Sequence, residues 1–464
     1  MSAIITDPFK KQLTETVFNE VKNNTNRYYI GIGRSEPWDS SETVPTPTST
    51  PRTIRNVRAS LQSIKSASDL SYVIPRYNWS SGSIYQGYDD DFASIPDTNP
   101  YAVLTEDNQV YMVLQQAKNS AGTATTSTIK PTGTSTKPFK TSDGYVWKFL
   151  YTLSAARSSA FLSANFVPVE KILDSARVND LTGTTTLSVL EIQQALVQDS
   201  AVPGQIIGVD VTAGGTGYTS TPTVTIDGDG VRAAATATVS GGAVSKIELD
   251  SSTDSAMAMG QGYKFASISI TGGGGSGAKA RAIIGPDSGM GADPRDDLKS
   301  TSLMFNTKPN GIEDSNFIVG QDFRQVALIR DPKKAQTIDS DFTTSSGKVL
   351  RFLKLTAAAN TNFLDATITG GTTGAQALID EVDSDRLYFH QTEVTGFKSF
   401  AEGEAITGGG TSGTLVAAGV DVDSDAFTRD DVDKLSGKIV YIENRAPVTR
   451  AANQQEDIKV VISL

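Results

Sequence analysis

Two stretches in the middle of the chain repeat the same order of signals, and a repeat of that kind admits few folds. The first copy reads Ala213-Gly214-Gly215-Thr216-Gly217-Tyr218, then Thr223-Val224-Thr225-Ile226, then Asp227-Gly228-Asp229-Gly230, then Ala233 to Val239. The second reads Gly260-Gln261-Gly262-Tyr263, then Ser267-Ile268-Ser269-Ile270, then Gly272 to Gly275, then Ala278 to Ile284. Tyr218 and Tyr263 are 45 residues apart, and Ile226 and Ile270 are 44 apart. Each copy is a Gly-Tyr turn, a strand, a glycine turn and a strand. One copy cannot bury its apolar face alone, so the two are expected to pack together.

A second repeat follows. Ile368-Thr369-Gly370-Gly371 returns as Ile406-Thr407-Gly408-Gly409, 38 residues later, each with a strand before and after. The domain organisation read from these shifts is a core in three pieces, 1–202, 287–345 and 421–464, interrupted by glycine-rich β modules at 203–286 and 346–420. Hydrophobic residues make up only 38% of the 464 residues, with 41 glycines. That bias suits many short strands and turns. The expected fold class is therefore mainly β, with a few short helices in loops.

Two helices are expected before the repeats. Pro8 behind a capping Asp7 opens the first, and Leu13, Val17 and Val21 recur at four-residue spacing beside Phe18. Ile54, Val57, Leu61 and Ile64 predict a second over 54–64. Arg27 to Ile32, Val110 to Leu114 and Tyr145 to Leu153 read as strands, the first dense enough in aromatic and branched residues to be buried on both faces.

The chain carries little that reads as chemistry. It has no cysteine, which excludes disulfides, thiolate catalysis and Cys-based metal sites. Its net charge of −11 disfavours nucleic acid as a partner. No signal peptide is indicated at Met1 to Lys11, and no apolar window reaches the ~20 residues of a membrane span. Gly272 to Lys279 fails as a phosphate loop, because Ala278 separates Gly277 from Lys279 and Ala280 stands where a hydroxyl is needed. Asp421, Asp423 and Asp425 begin like a calcium loop, but Ala426 and Val432 occupy the positions that want Gly and Glu. Asp89-Asp90-Asp91 reads as an exposed loop. His390, the single histidine, lies in a strand of the second module with no nucleophile elbow beside it, so a structural or exposed role is expected. No catalytic residue, metal ligand or cofactor is expected.

Short words rich in aromatic residues and proline run through the remaining sequence: Gly33-Arg34-Ser35-Glu36-Pro37-Trp38; Val73-Ile74-Pro75-Arg76 followed by Trp79; Asp143-Gly144-Tyr145-Val146-Trp147; Phe323-Arg324-Gln325 with Asp331-Pro332; and Tyr441-Ile442-Glu443-Asn444-Arg445-Ala446-Pro447. In this order they resemble the gene product 8 family, the baseplate wedge subunit of contractile-tailed, T-even-like bacteriophages. The matching stretches cover about residues 1–170, 321–345 and 434–464. The two glycine-rich modules stand outside the resemblance and look similar to those of cyanobacterial phage tail proteins. Ala446 replaces a proline of the family word, which puts one Pro-fixed turn in doubt.

The resemblance implies a multilayer β-sandwich core, a homodimer, contacts with other baseplate wedge proteins, and a place in the virion tail after assembly in the host cytoplasm. Its function would be structural, passing host contact on to sheath contraction. Arg34, Glu36, Trp38, Arg76, Trp147, Arg324, Glu443, Asn444 and Arg445 are the structural or interface candidates. Arg34 and Glu36 are spaced to pair, Trp38 to cover a core behind the Pro37 turn, and Arg445 to fork onto oxygens. Two other readings stay open. One is a host-recognition or carbohydrate-binding tail protein with the modules as binding heads. The other is a glycan hydrolase, which would need a carboxylate pair in a cleft.

Overall fold

The computed structural model describes residues 4–174, 187–252, 255–335, 337, 339–417, 427–428 and 431–464. The protein is mainly β, with 40% strand and 12% helix. Two compact units are interleaved along the chain. One takes residues up to Thr14, Ser71–Leu303 and Ser463–Leu464, and the other takes Glu15–Leu70 and Met304–Ile462.

The first unit is built on a four-stranded antiparallel sheet ordered Ala102–Leu104, Gln109–Gln115, Val146–Thr152, Phe139–Lys140. Its inner face is aromatic. Tyr85, Tyr111, Tyr145, Trp147 and Phe149 form one buried cluster. The helix Val189–Asp199 packs on the strand Val146–Thr152 and sends Val197 into that cluster. The helix is capped reciprocally: the Ser188 amide donates to Glu191 at 2.6 Å and the Glu191 amide to the Ser188 hydroxyl at 3.4 Å.

The 45-residue repeat of this unit has approximate two-fold symmetry. The strands Thr223–Gly228 and Ala266–Thr271 pair antiparallel, with equivalent residues of the two copies, Thr225 and Ser269, directly opposite. The outer pairs obey the same rule: Val231 lies opposite Gln261, and their equivalents Ser276 and Thr216 lie opposite each other. The tyrosines are exchanged. Tyr218 of the first copy lies on Gly275 of the second, and Tyr263 of the second lies on Gly230 of the first. A methyl group at either glycine would overlap the ring, so glycine is required there for space. The module begins and ends on neighbouring strands, Ile206–Thr216 and Ser276–Ile284, with Ile206 opposite Ile284.

The second unit holds a five-stranded antiparallel sheet ordered Ser346–Lys348, Leu61–Ser66, Tyr28–Gly33, Asp322–Arg330, Lys438–Thr449. All six residues of Tyr28–Gly33 are buried, in line with the expected burial on both faces. A separate seven-stranded sheet runs from Arg351–Lys354 to Phe427–Thr428, which pair with each other. Its two Ile-Thr-Gly-Gly words also meet at equivalent residues, Thr369 opposite Thr407. Ile368 and Ile406 are both fully buried in its core with Phe363, Leu387 and Phe389.

Three local expectations need correction. The second helix is Pro51–Ser60, capped by Thr50, and the chain is already extended at Leu61. Leu61 and Ile64, expected on its apolar stripe, instead lie in the strand Leu61–Ser66 beside Tyr28–Gly33. Sheet pairing on a buried partner outweighs a helical period that covers barely three turns. The first helix is Asp7–Lys22, so Asp7 is inside it; the amides of Phe9 and Lys10 donate to the Thr6 carbonyl. Of its stripe, Val21 is buried but Leu13 is exposed. Finally, no turn occurs at Ala446-Pro447, because the strand Lys438–Thr449 runs through it.

Candidate functional site

Three of the five family-like words converge in the second unit. The loop after the strand Tyr28–Gly33 is the centre. Gly33 lies so close to the Ser60 carbonyl that no side chain fits, which brings the loop against the end of the helix Pro51–Ser60. Arg34 then adopts φ +64°, an uncommon conformation for a residue with a side chain, and its amide donates to the Ser60 carbonyl at 2.9 Å. Its guanidinium lies 4.2 Å from the centre of the Trp38 ring, and one nitrogen donates to the Pro37 carbonyl at 3.1 Å.

The other two words close on this loop. The indole N–H of Trp38 donates to the Arg445 carbonyl at 2.9 Å. Arg324 falls in a bulge between Phe323 and Gln325, which turns its side chain inward. There it grips Glu42 through two nitrogens at 3.0 and 2.8 Å, contacts Asp322 at 3.1 Å, and donates to the Ser35 carbonyl. Gln325 donates to the Asn444 side-chain oxygen at 2.7 Å, and Asn444 donates in turn to the Pro45 carbonyl at 2.9 Å. Glu443 accepts from the Tyr441 hydroxyl at 3.2 Å and stands 3.6 Å from Arg445. Arg445 thus makes a single ion-pair contact rather than a fork.

The expected Arg34–Glu36 pair gives way to a different arrangement. Glu36 turns to His390, whose Nε2 lies 3.1 Å from Glu36 Oε1 as an ion-pair contact without hydrogen-bond alignment. On its other side, His390 Nδ1 meets Asp380 at 2.5 Å. Asp380 also accepts from the Ser35 hydroxyl at 2.6 Å and the Gln62 amide at 3.0 Å. His390 and Asp380 are fully buried. Burial pushes the imidazole pKa down, but the charge and hydrogen bond of Asp380, and then Glu36, more than offset it and raise the value to about 10. Burial pushes the Glu36 carboxyl up, yet the His390 contact and Arg34 hold it below the usual range.

Chemically this is a buried cation between two carboxylates. Ser35 donates to Asp380 and not to the ring, so the geometry differs from a serine nucleophile served by a histidine base. Among the described residues, no group of three or more His, Cys, Asp or Glu side chains is placed to hold a metal ion. Asp89 and Asp90 are taken up by Arg281. Gly272 to Gly275 form the turn under Tyr218. Asp421, Asp423 and Asp425 lie outside the described residues.

Arg76 and Trp147 belong to the other unit. Arg76 donates to Asn78 at 2.9 Å and to the Ser163 carbonyl at 2.8 Å. Trp147 is fully buried, 5.7 Å from Tyr145 in the aromatic core. Comparison with known families and characterised proteins adds nothing to this picture: no family matches the sequence and no characterised protein is similar to it.

Proposed function

We propose that this protein is a structural subunit of a contractile phage tail, in the baseplate wedge, without catalytic activity of its own. The carrying observation is that three of the words that resemble that family's, far apart in sequence, meet in one hydrogen-bonded cluster through Trp38, Arg324 and Asn444. Residues that secure one another across the fold are what a shared architecture requires. The test is assembly. The reading expects a homodimer by native mass, burying over ~1,000 Å², that joins other wedge subunits on co-expression. A monomer that stays apart from tail subunits would overturn it.

A second reading, host recognition through a carbohydrate, is favoured by one observation. Phe265 and Phe397, one on each module, are 65% and 62% exposed.

A further inference from the structure

Beside the buried histidine lies an open groove of about 440 Å³, within the size range of small-molecule sites. It is lined by Arg34, Glu36 and Trp38 with Asn56 and Ala59 of the helix Pro51–Ser60. The segment Thr392 to Thr395 and the strand residues Thr367, Gln376 and Leu378 complete the lining.

Three features limit what can occupy it. Its charges are balanced. Arg34 faces the field of Glu36, and Glu393 is held by Arg52 through two nitrogens at 3.1 and 2.7 Å. A ligand with net charge gains nothing there. Its hydrogen-bonding groups are planar and of both kinds, the amides of Asn56 and Gln376 beside a guanidinium and a carboxylate, with Trp38 and Leu378 as apolar surface. Arg34 Nε and Glu36 Oε2 are both buried without a partner. An unmet buried polar atom is costly, and Arg34 is already held in a strained backbone conformation.

An extended peptide would need a free sheet edge to pair with. The strands in the lining offer none. Thr367–Gly370 is paired to Gln376–Asp383 and Ala405–Gly408, and Gln376–Asp383 is paired on its far side to Arg386–His390. A sugar hydroxyl donates and accepts at one atom, so neighbouring hydroxyls can meet a guanidinium and a carboxylate together, while the pyranose C–H face covers an apolar patch. We propose that this groove binds a neutral oligosaccharide. The inference deepens the carbohydrate reading and rests on it, but places the site in the groove and not on the exposed phenylalanines.

The probes are trisaccharides of glucose, galactose, mannose and N-acetylglucosamine, with tri-galacturonate as the charged comparator. Each is titrated into the full chain and followed by saturation-transfer NMR. At least one neutral trisaccharide should bind with a Kd of about 1 mM or tighter. Asn56→Ala, which removes an exposed amide bonded to Glu393, and Ala59→Trp, which fills the groove, should each weaken it at least ~10-fold while the thermal melt is kept. Preference for tri-galacturonate overturns the inference. Binding that survives both groove variants but is lost in Phe265→Ser/Phe397→Ser overturns the groove and leaves the carbohydrate reading standing. No saccharide binding overturns both.

Discussion

The buried histidine makes a prediction that one nucleus can report. His390 is the only histidine in the chain, so the imidazole signals in an NMR titration belong to it alone. With its pKa raised from 6.5 to about 10 by Asp380 and Glu36 against the opposing effect of burial, the ring stays protonated through neutral pH. At about 1.4 kcal/mol per pH unit, a rise of that size is worth at most about 5 kcal/mol of folding stability. The sign follows from proton binding. Between pH 6.5 and about 10 the folded protein holds a proton the unfolded chain has released, so the stabilisation is complete below pH 6.5 and is lost as pH rises to 10. Lys148 works the other way. Burial lowers its pKa to about 8, so its effect on stability improves as pH rises from there. A difference against His390→Gln removes that background. Urea unfolding should show wild type more stable than the variant at pH 7, with the gap closing toward pH 10. Asp380→Asn should lower the imidazole midpoint by about two pH units or more. A wild-type midpoint between about 6 and 7 would refute the reasoning.

Four further outcomes are expected. Gly230→Ala and Gly275→Ala should each cost about 1–3 kcal/mol by pressing a methyl group on the other copy's tyrosine ring and on the backbone beside it; in a double-mutant cycle by thermal unfolding, the cost of Gly275→Ala should be relieved only in part when Tyr218 is already Ala, because the Tyr218 backbone nitrogen stands 2.6 Å from the added carbon. Arg324→Lys should lose about 1–3 kcal/mol in urea unfolding, since a single ammonium cannot serve Glu42, Asp322 and the Ser35 carbonyl from one plane. Glu404 accepts from the amides of Thr372, Thr373 and Ala401, so Glu404→Gln should sensitise the second module to limited proteolysis. Burial raises the Glu404 pKa, but those amides outweigh it and lower the value, so its contribution should be present above pH 4.5 and fade on acidification.

What could be read from sequence follows from how local each signal is. The 45-residue repeat is legible because glycine turns and branched strands are local, while the register that sets Thr225 opposite Ser269 comes from the structure. The exchange of Tyr218 and Tyr263 between copies is not legible, since nothing in one copy says whose glycine the ring will cover. Ile64 misled because one short period fits both a helix and a buried strand. The helix Val189–Asp199 went unassigned although Ser188 and Glu191 spell a capping box. Glu36 stands out in sequence as part of the word Gly33 to Trp38, yet its partner His390 lies in the second glycine-rich module, outside the stretches that carry the resemblance. Contacts of that separation leave no periodic trace.

The first module and the seven-stranded sheet that carries the second each leave and return to the chain on adjacent paired strands, Ile206 opposite Ile284 and Phe352 opposite Thr428. The ends of each are therefore about 5 Å apart, however much lies between them. Such a neck lets a whole module be gained, lost or exchanged as a cassette in one genetic step without moving the strands it hangs from. The two cassettes differ in what they leave behind. Exchange of the second would also replace Asp380 and His390, so its successors inherit the task of neutralising Glu36.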